Sequence, residues 1–213
     1  MRFCPNAKII VMLLNPVEML HSLHAQLLIS ANENIVDFKK ALDAEKERKA
    51  GFCIPRGCVN TSHLYYRDVA EYAPQIQRYF DTFGRDNVHV IVFDDFKNDI
   101  KTVYRNVLRF LEVDDTFVPD FSRRNPNTKA RNKTLMYFRY NYPEFVRTIG
   151  RCIVPSPRVR YGLMQTITKM NTKTVKRSPM PEDLRRQLQK EFRPSVERLS
   201  QLLERDLMHW VEE

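Results

Sequence analysis

Glycine is scarce in this sequence, with five in 213 residues: Gly51, Gly57, Gly84, Gly150 and Gly162. A loop that cradles a phosphate through backbone N–H groups needs closely spaced glycines followed by a lysine. None of the five is so placed; Gly51 and Gly57 are six apart and precede Cys58. Cysteine is sparse too. Cys4, Cys53, Cys58 and Cys152 are too few to staple a chain of this size; Cys53 and Cys58 are separated by four residues, but no Cys or His pair elsewhere sits at zinc spacing to complete a site, so reduced thiols and a cytoplasmic setting are expected. Long apolar runs are missing. Ile9 to Leu14 is six residues, shorter than the roughly seven that a secretory signal requires. Asn15, Pro16, Glu18 and His21 interrupt the stretch from Ala7 to Ser30, which excludes it as a membrane span.

Positive charge, by contrast, is abundant and uneven. Lys and Arg number 35 against 26 acids, a net charge of +9. From Arg123 to Arg186 there are sixteen cations and three acids, a balance of +13, so the remainder of the chain carries −4. A concentrated cationic segment suits an anionic partner such as a phosphorylated cofactor or a polyanionic substrate. No helix-turn-helix, zinc or RNA-binding signature accompanies it, so nucleic acid is not the expected partner.

The hydrophobic pattern alternates strands and helices. Lys8–Leu14 (KIIVMLL) reads as a buried parallel strand ending at Asn-Pro. Asn15 can cap the helix that follows, and Pro16 fits its first position; the helix is expected to run to about Ser30. Further helices are predicted over Asn34–Ala50, Tyr66–Phe83, Asp99–Glu112 and Thr134–Arg151, and a last one from Pro181 with a break near Pro194. Asn87–Phe93 reads as a second strand, with Asp94 and Asp95 in the loop after it as caps for the next helix. Gly51–Ser62 and Asp114–Asn132 read as loops, and Pro155–Pro181 as an irregular excursion with a short helix. The order predicts an α/β fold with parallel pairing and a ligand site at the carboxyl ends of the strands, beside Asn15 and Asp94.

Five stretches carry a resemblance. Cys4–His24 (CPNAKIIVMLLNPVEMLHSLH) resembles the 3′-phosphate-binding strand-turn-helix of sulfotransferases that use 3′-phosphoadenosine 5′-phosphosulfate (PAPS). Asp81–Asp94 and Tyr104–Asp114 resemble that family's second strand and the helix after it. Asn127–Leu135 (NTKARNKTL) is similar to its loop before a late helix, and Glu197–Trp210 to its C-terminal helix. The matches span most of the chain and are closest to the bacterial and heparan-sulfate-like branch.

The resemblance implies transfer of a sulfonate from PAPS to an acceptor hydroxyl or amine of a carbohydrate or small molecule. It also implies a P-loop-like three-layer sandwich with a parallel sheet and no metal in the transfer. Ser22 matches the family serine that donates to the 3′-phosphate, and Lys129 and Arg131 fall where its basic loop approaches the nucleotide. There are departures. Leu14 stands where the family has an arginine, so cofactor binding is expected to be one to two orders of magnitude weaker. The Gly-rich phosphosulfate loop and its strand, which precede Lys8–Leu14 in the family, are expected to be missing. The family's base lies between them, so no catalytic residue is assigned. His21 and His24 read as packing residues before bases. The expectation is one partial sulfotransferase domain over residues 1–213 with impaired activity; the alternative is a non-catalytic module that binds a nucleotide or polyanion.

Overall fold

The computed structural model describes residues 4, 6–121, 156, 159, 162, 166 and 179–212, and the backbone of 128–130 and 172–174. The chain forms two compact units. The first comprises Met1–Leu20, Arg67–Arg123 and Pro181–Glu213; the second comprises His21–Tyr66 and Arg124–Met180.

The first unit is built on two strands. β1 (Ile9–Leu13) pairs in parallel with β2 (Val88–Val92), in the register Ile9↔Val88 to Leu13↔Val92. β-Branched residues favour the strands, and parallel pairing requires the long helical crossover that the intervening sequence provides. Lys8 lies just outside β1. Its ammonium donates to the Phe110 carbonyl at 2.7 Å and pairs with Glu112, satisfying the carboxyl end of the helix Ile100–Phe110, whose last carbonyls have no partner within the helix. One expectation fails. A continuous apolar run predicts burial on both faces, yet Ile10 and Met12 are 42% and 48% exposed. They face an apolar groove with Phe96, Ile100 and Val103.

Helix α1 (Pro16–Ile29) follows β1, close to its expected bounds. In the second unit the helix expected over 34–50 is two short ones, α2 (Phe38–Asp43) and α3 (Glu45–Lys49). Asp37 caps α2 by accepting from the Lys40 N–H, which starts the helix four residues late. The predicted helix Tyr66–Phe83 is also divided, into α4 (Tyr66–Ala70) and α5 (Tyr72–Phe83). Pro74 is the reason. It has no N–H and is tolerated in the first turn of a helix, so a new helix begins two residues ahead of it.

After β2 the chain does not loop. α6 (Phe93–Asn98) starts at once, with Asp94 and Asp95 in its first turn, and Asp99 caps α7 (Ile100–Phe110) instead. α8 (Glu182–Leu203) runs unbroken through Pro194, contrary to the expected break. Pro194 lies on the exposed face, where water can serve the orphaned Lys190 carbonyl, while Leu188, Phe192, Val196 and Leu199 are buried on the other face and hold the helix together. Two further strands were not anticipated. β3 (Thr128–Ala130) and β4 (Thr172–Thr174) pair antiparallel where loop and irregular structure were expected. The predicted helix over 134–151 lies outside the described residues.

Glycine scarcity leaves a mark. Helices usually exit through a left-handed residue, most often glycine. Here Ala31, Glu112 and Glu204 take φ of 56°, 58° and 53° instead, each carrying a Cβ where glycine would carry none, at a cost of roughly 1 kcal/mol.

Candidate functional site

The turn from β1 into α1 is closed by its own residues. Asn15 Oδ1 accepts from the Val17 N–H at 3.0 Å and the Asn15 carbonyl accepts from the Met19 N–H, so Asn15 is the predicted cap. Its amide donates to the Trp210 carbonyl at 2.9 Å. Pro16 has no N–H, and Glu18 pairs with Arg185. The half-buried Leu14 offers its carbonyl to the Tyr72 hydroxyl at 3.0 Å; burial holds that phenol well above its usual pKa. The first turn of α1 therefore has few backbone donors left for an anion, and a phosphate here would depend on side chains.

Trp210 also reaches the end of the second strand. Its indole N–H donates to Asp94 at 2.7 Å, and His209 lies 3.4 Å from the same oxygen. Asp95 takes both ends of the Arg205 guanidinium. The two acids are thus neither helix caps nor free bases: they tie the C-terminal segment to the carboxyl end of the sheet. Burial pushes the Asp94 carboxyl up, but the Trp210 and His209 hydrogen bonds, with Lys97, outweigh it and hold it below the usual range. Asp95 is lowered chiefly by Arg205.

Ser22 is half-buried on α1, seven residues after Asn15. Its neighbours are packing residues. His21 tilts against Phe38 at 5.3 Å, and the buried His24 donates from Nε2 to the Ile35 carbonyl at 2.8 Å, with burial lowering its pKa. A neutral imidazole committed to a carbonyl suits packing, as expected, and not general-base work. Lys129 lies in β3 opposite Lys173 of β4, two cations at one register position. Arg131 lies outside the described residues. Ser22 and Lys129 belong to the same compact unit.

Sequence reasoning missed a buried ionic network beside His24. Glu33 accepts from both Arg48 terminal nitrogens at 2.7 and 2.8 Å, from the Tyr66 hydroxyl at 2.8 Å, and from the N–H groups of Asn34 and Ile35. All three side chains are buried. Burial raises the Glu33 carboxyl, but Arg48, the Ile35 N–H and Tyr66 together bring it below its ordinary value. Arg48 hides in the charged run EKERK, which reads as solvated, so periodicity gave no signal. With every oxygen of Glu33 engaged, the network is structural. Lys173 was also missed, because its pairing with Lys129 is a matter of sheet register.

Among the described residues no cluster of His, Cys, Asp or Glu is arranged to hold a metal ion, and no helix is long and apolar enough to cross a membrane. No protein-family model and no curated protein matches the chain. Among solved structures it is similar to the crystal structure of a sulfotransferase from Alicyclobacillus acidocaldarius, at 30% identity and a TM-score of 0.63. The likeness covers 98% of this chain and 59% of that one, so the chain spans about three fifths of that protein's length. A parallel β1–β2 pair joined through helices, aligned over nearly the whole chain, makes this a sulfotransferase-like α/β fold.

Proposed function

We propose that the chain is a sulfotransferase-fold domain whose donor is PAPS and whose acceptor is a hydroxyl or amine of a carbohydrate or small molecule. In this reaction the acceptor oxygen or nitrogen attacks sulfur as the bond from sulfur to the phosphate oxygen breaks. Adenosine 3′,5′-bisphosphate leaves with the bonding electrons, and the acceptor proton passes to a base. Catalysis of such in-line transfers rests on positioning and charge neutralisation. The observation that carries this reading is the 30% identical likeness over 98% of the chain, with the strand-turn-helix at Ile9–Ile29 as its local counterpart.

Ser22, Lys129 and Arg131 are the proposed nucleotide contacts, with Lys173 beside Lys129. The closed first turn of α1 favours side-chain recognition: a serine hydroxyl and lysine ammonium groups donate where backbone N–H groups are spent. Among the five glycines none forms a phosphosulfate loop, so the isolated chain binds the nucleotide better than it turns it over. We place it as one domain in the reducing cytoplasm, consistent with free Cys53 and Cys58, without a metal, a membrane span or a nucleic-acid partner.

Calorimetry with adenosine 3′,5′-bisphosphate tests the nucleotide site. Ser22→Ala is expected to weaken binding about tenfold, the loss of one hydrogen bond to a charged group, and Leu14→Arg to tighten it tenfold or more. No heat at millimolar ligand overturns the reading. Incubation with radiolabelled PAPS and polysaccharide or small-hydroxyl acceptors tests transfer. Robust turnover by the isolated chain contradicts the proposed impairment. Binding with no transfer at all favours the second reading, a non-catalytic nucleotide- or polyanion-binding module.

A further inference from the structure

Residues 30–37, which join α1 to α2, form turns and irregular structure, and Asn34, Val36 and Asp37 among them are exposed. Such a stretch belongs to the low-stability end of a fold, so its anchors decide whether it stays closed. Three side-chain anchors hold it within the second unit. Asn32 Oδ1 accepts from the Val59 N–H at 2.8 Å. Glu33 accepts from the Asn34 and Ile35 N–H groups, while Arg48 and Tyr66 engage the rest of its carboxylate. The Ile35 carbonyl accepts from His24 Nε2 at 2.8 Å. Of the three, only the last is made by a side chain whose unperturbed titration falls between about pH 5 and 8; the Glu33 carboxyl lies below its ordinary 4.5 and stays ionised there.

His24 is 4% exposed, and its ring packs against Phe38 at 5.2 Å and Tyr66 at 6.2 Å. A carbonyl oxygen only accepts, so Nε2 carries the single proton of the neutral ring. A second proton would put a full charge into this aromatic cage. The groups around it divide. Glu33 and Asp37, from the joining stretch, favour the cation, as does the Ile35 carbonyl; Arg48, from α3, opposes it. Tyr66, from α4, is held neutral, its phenol raised chiefly by burial. His21, three residues earlier on α1, touches the same Phe38 ring at 5.3 Å. Burial is the largest influence on His24, so the ring takes up a proton more readily in water than in the cage.

We propose that His24 is an acid-released latch: once its imidazole is protonated the ring leaves the cage for water, the Ile35 carbonyl loses its donor, and the stretch between α1 and α2 opens and uncovers Phe38. An open state in which His24 titrates at its ordinary 6.5 binds the proton more tightly than the closed state does. The closed state is therefore fully favoured above about pH 6.5, and opening grows as the pH falls from there to the lower closed-state value, by at most about tenfold per pH unit. Neither the donor nor the acceptor of the proposed transfer enters this device, so it stands or falls apart from that reading.

Hydrogen exchange of the full chain, corrected for the intrinsic effect of pH on amide exchange, is read over residues 32–38 at about pH 7 and about pH 5.5. Opening is expected to increase several-fold in acid in the wild type. It is expected to be unchanged in His24→Gln, whose amide keeps an N–H for the Ile35 carbonyl but does not titrate. His21→Gln and His63→Gln, which remove the other imidazoles of the second unit, are expected to keep the wild-type response. Equal exchange at the two pH values in the wild type overturns the proposal, and so does an acid response that survives His24→Gln or vanishes in His21→Gln or His63→Gln. If His24→Gln does not fold, the wild-type imidazoles are titrated by NMR: a His24 value at or above 6.5 overturns the latch, and a lower value together with acid-induced exchange supports it.

Discussion

Replacing Arg48 with methionine is expected to destabilise the protein by about 3–5 kcal/mol, the cost of leaving one member of a buried ion pair without its partner. Glu33 would then keep its carboxylate out of water with only Tyr66 and two backbone N–H groups to hold it. For a chain of this size the midpoint of thermal unfolding should fall by roughly 10 °C, read by circular dichroism. The double variant Glu33→Gln, Arg48→Met is expected to recover part of the loss, because it removes the uncompensated charge while the glutamine oxygen still accepts from Asn34 and Ile35. A double variant less stable than Arg48→Met would show that the pair is not the source of the effect. The network also sets a pH dependence. Its folded-state carboxyl titrates below the ordinary value of 4.5, so its contribution is complete above about pH 4.5 and is lost as the pH falls through the lower folded value. Wild type should therefore lose its advantage over the double variant in acid, in denaturant titrations at pH 7 and pH 3. An advantage unchanged by acid would refute the linkage.

Trp210→Ala should cost about as much, roughly 3–5 kcal/mol, since it empties the space of a large side chain that is 2% exposed. The physical causes can be separated. Trp210→Phe keeps most of the apolar surface but deletes the indole N–H, leaving Asp94 with His209 and Lys97; about 1–2 kcal/mol is expected. The Asn15 bond goes to the Trp210 carbonyl and survives both substitutions. Because Trp210 is the sole tryptophan, stability of the variants is measured by circular dichroism, and the wild-type fluorescence reports the same segment independently. Equal losses for alanine and phenylalanine would mean that the hydrogen bond to Asp94, and not packing, accounts for the segment's stability.

Much of the architecture was legible because it rests on local rules. The apolar, β-branched run before Asn15-Pro16 specified β1, its stop and the cap of α1, and every one of these is a matter of residues within one turn of each other. α7 began at its Asp cap for the same reason. The errors arose where a local rule was overridden. Pro194 carries a local prohibition against continuing a helix, yet the buried stripe Leu188, Phe192, Val196 and Leu199 supplies more than the missing hydrogen bond removes. Pro74 divides a stretch whose helical periodicity is otherwise good. Ile10 and Met12 look buried in sequence, but burial depends on what packs against a strand's second face.

The candidate site divides the same way. The strand-turn-helix and Ser22 are read from contiguous residues and resemble the sulfotransferase pattern; the solved sulfotransferase likeness supports the fold behind them. Asp94 and Asp95 were visible as a pair after a strand, but their role was not, because Trp210 and Arg205 lie more than a hundred residues away. The Glu33–Arg48–Tyr66 network and the Lys129–Lys173 register likewise join residues from different elements, beyond the reach of any local pattern. By itself the sequence determined the α/β order, the caps, the uneven charge and the want of glycine, all properties of neighbours along the chain. The tertiary structure alone decided which charges are buried and which acids are engaged, because desolvation and hydrogen-bond partnership depend on distance in space and leave no period in the sequence.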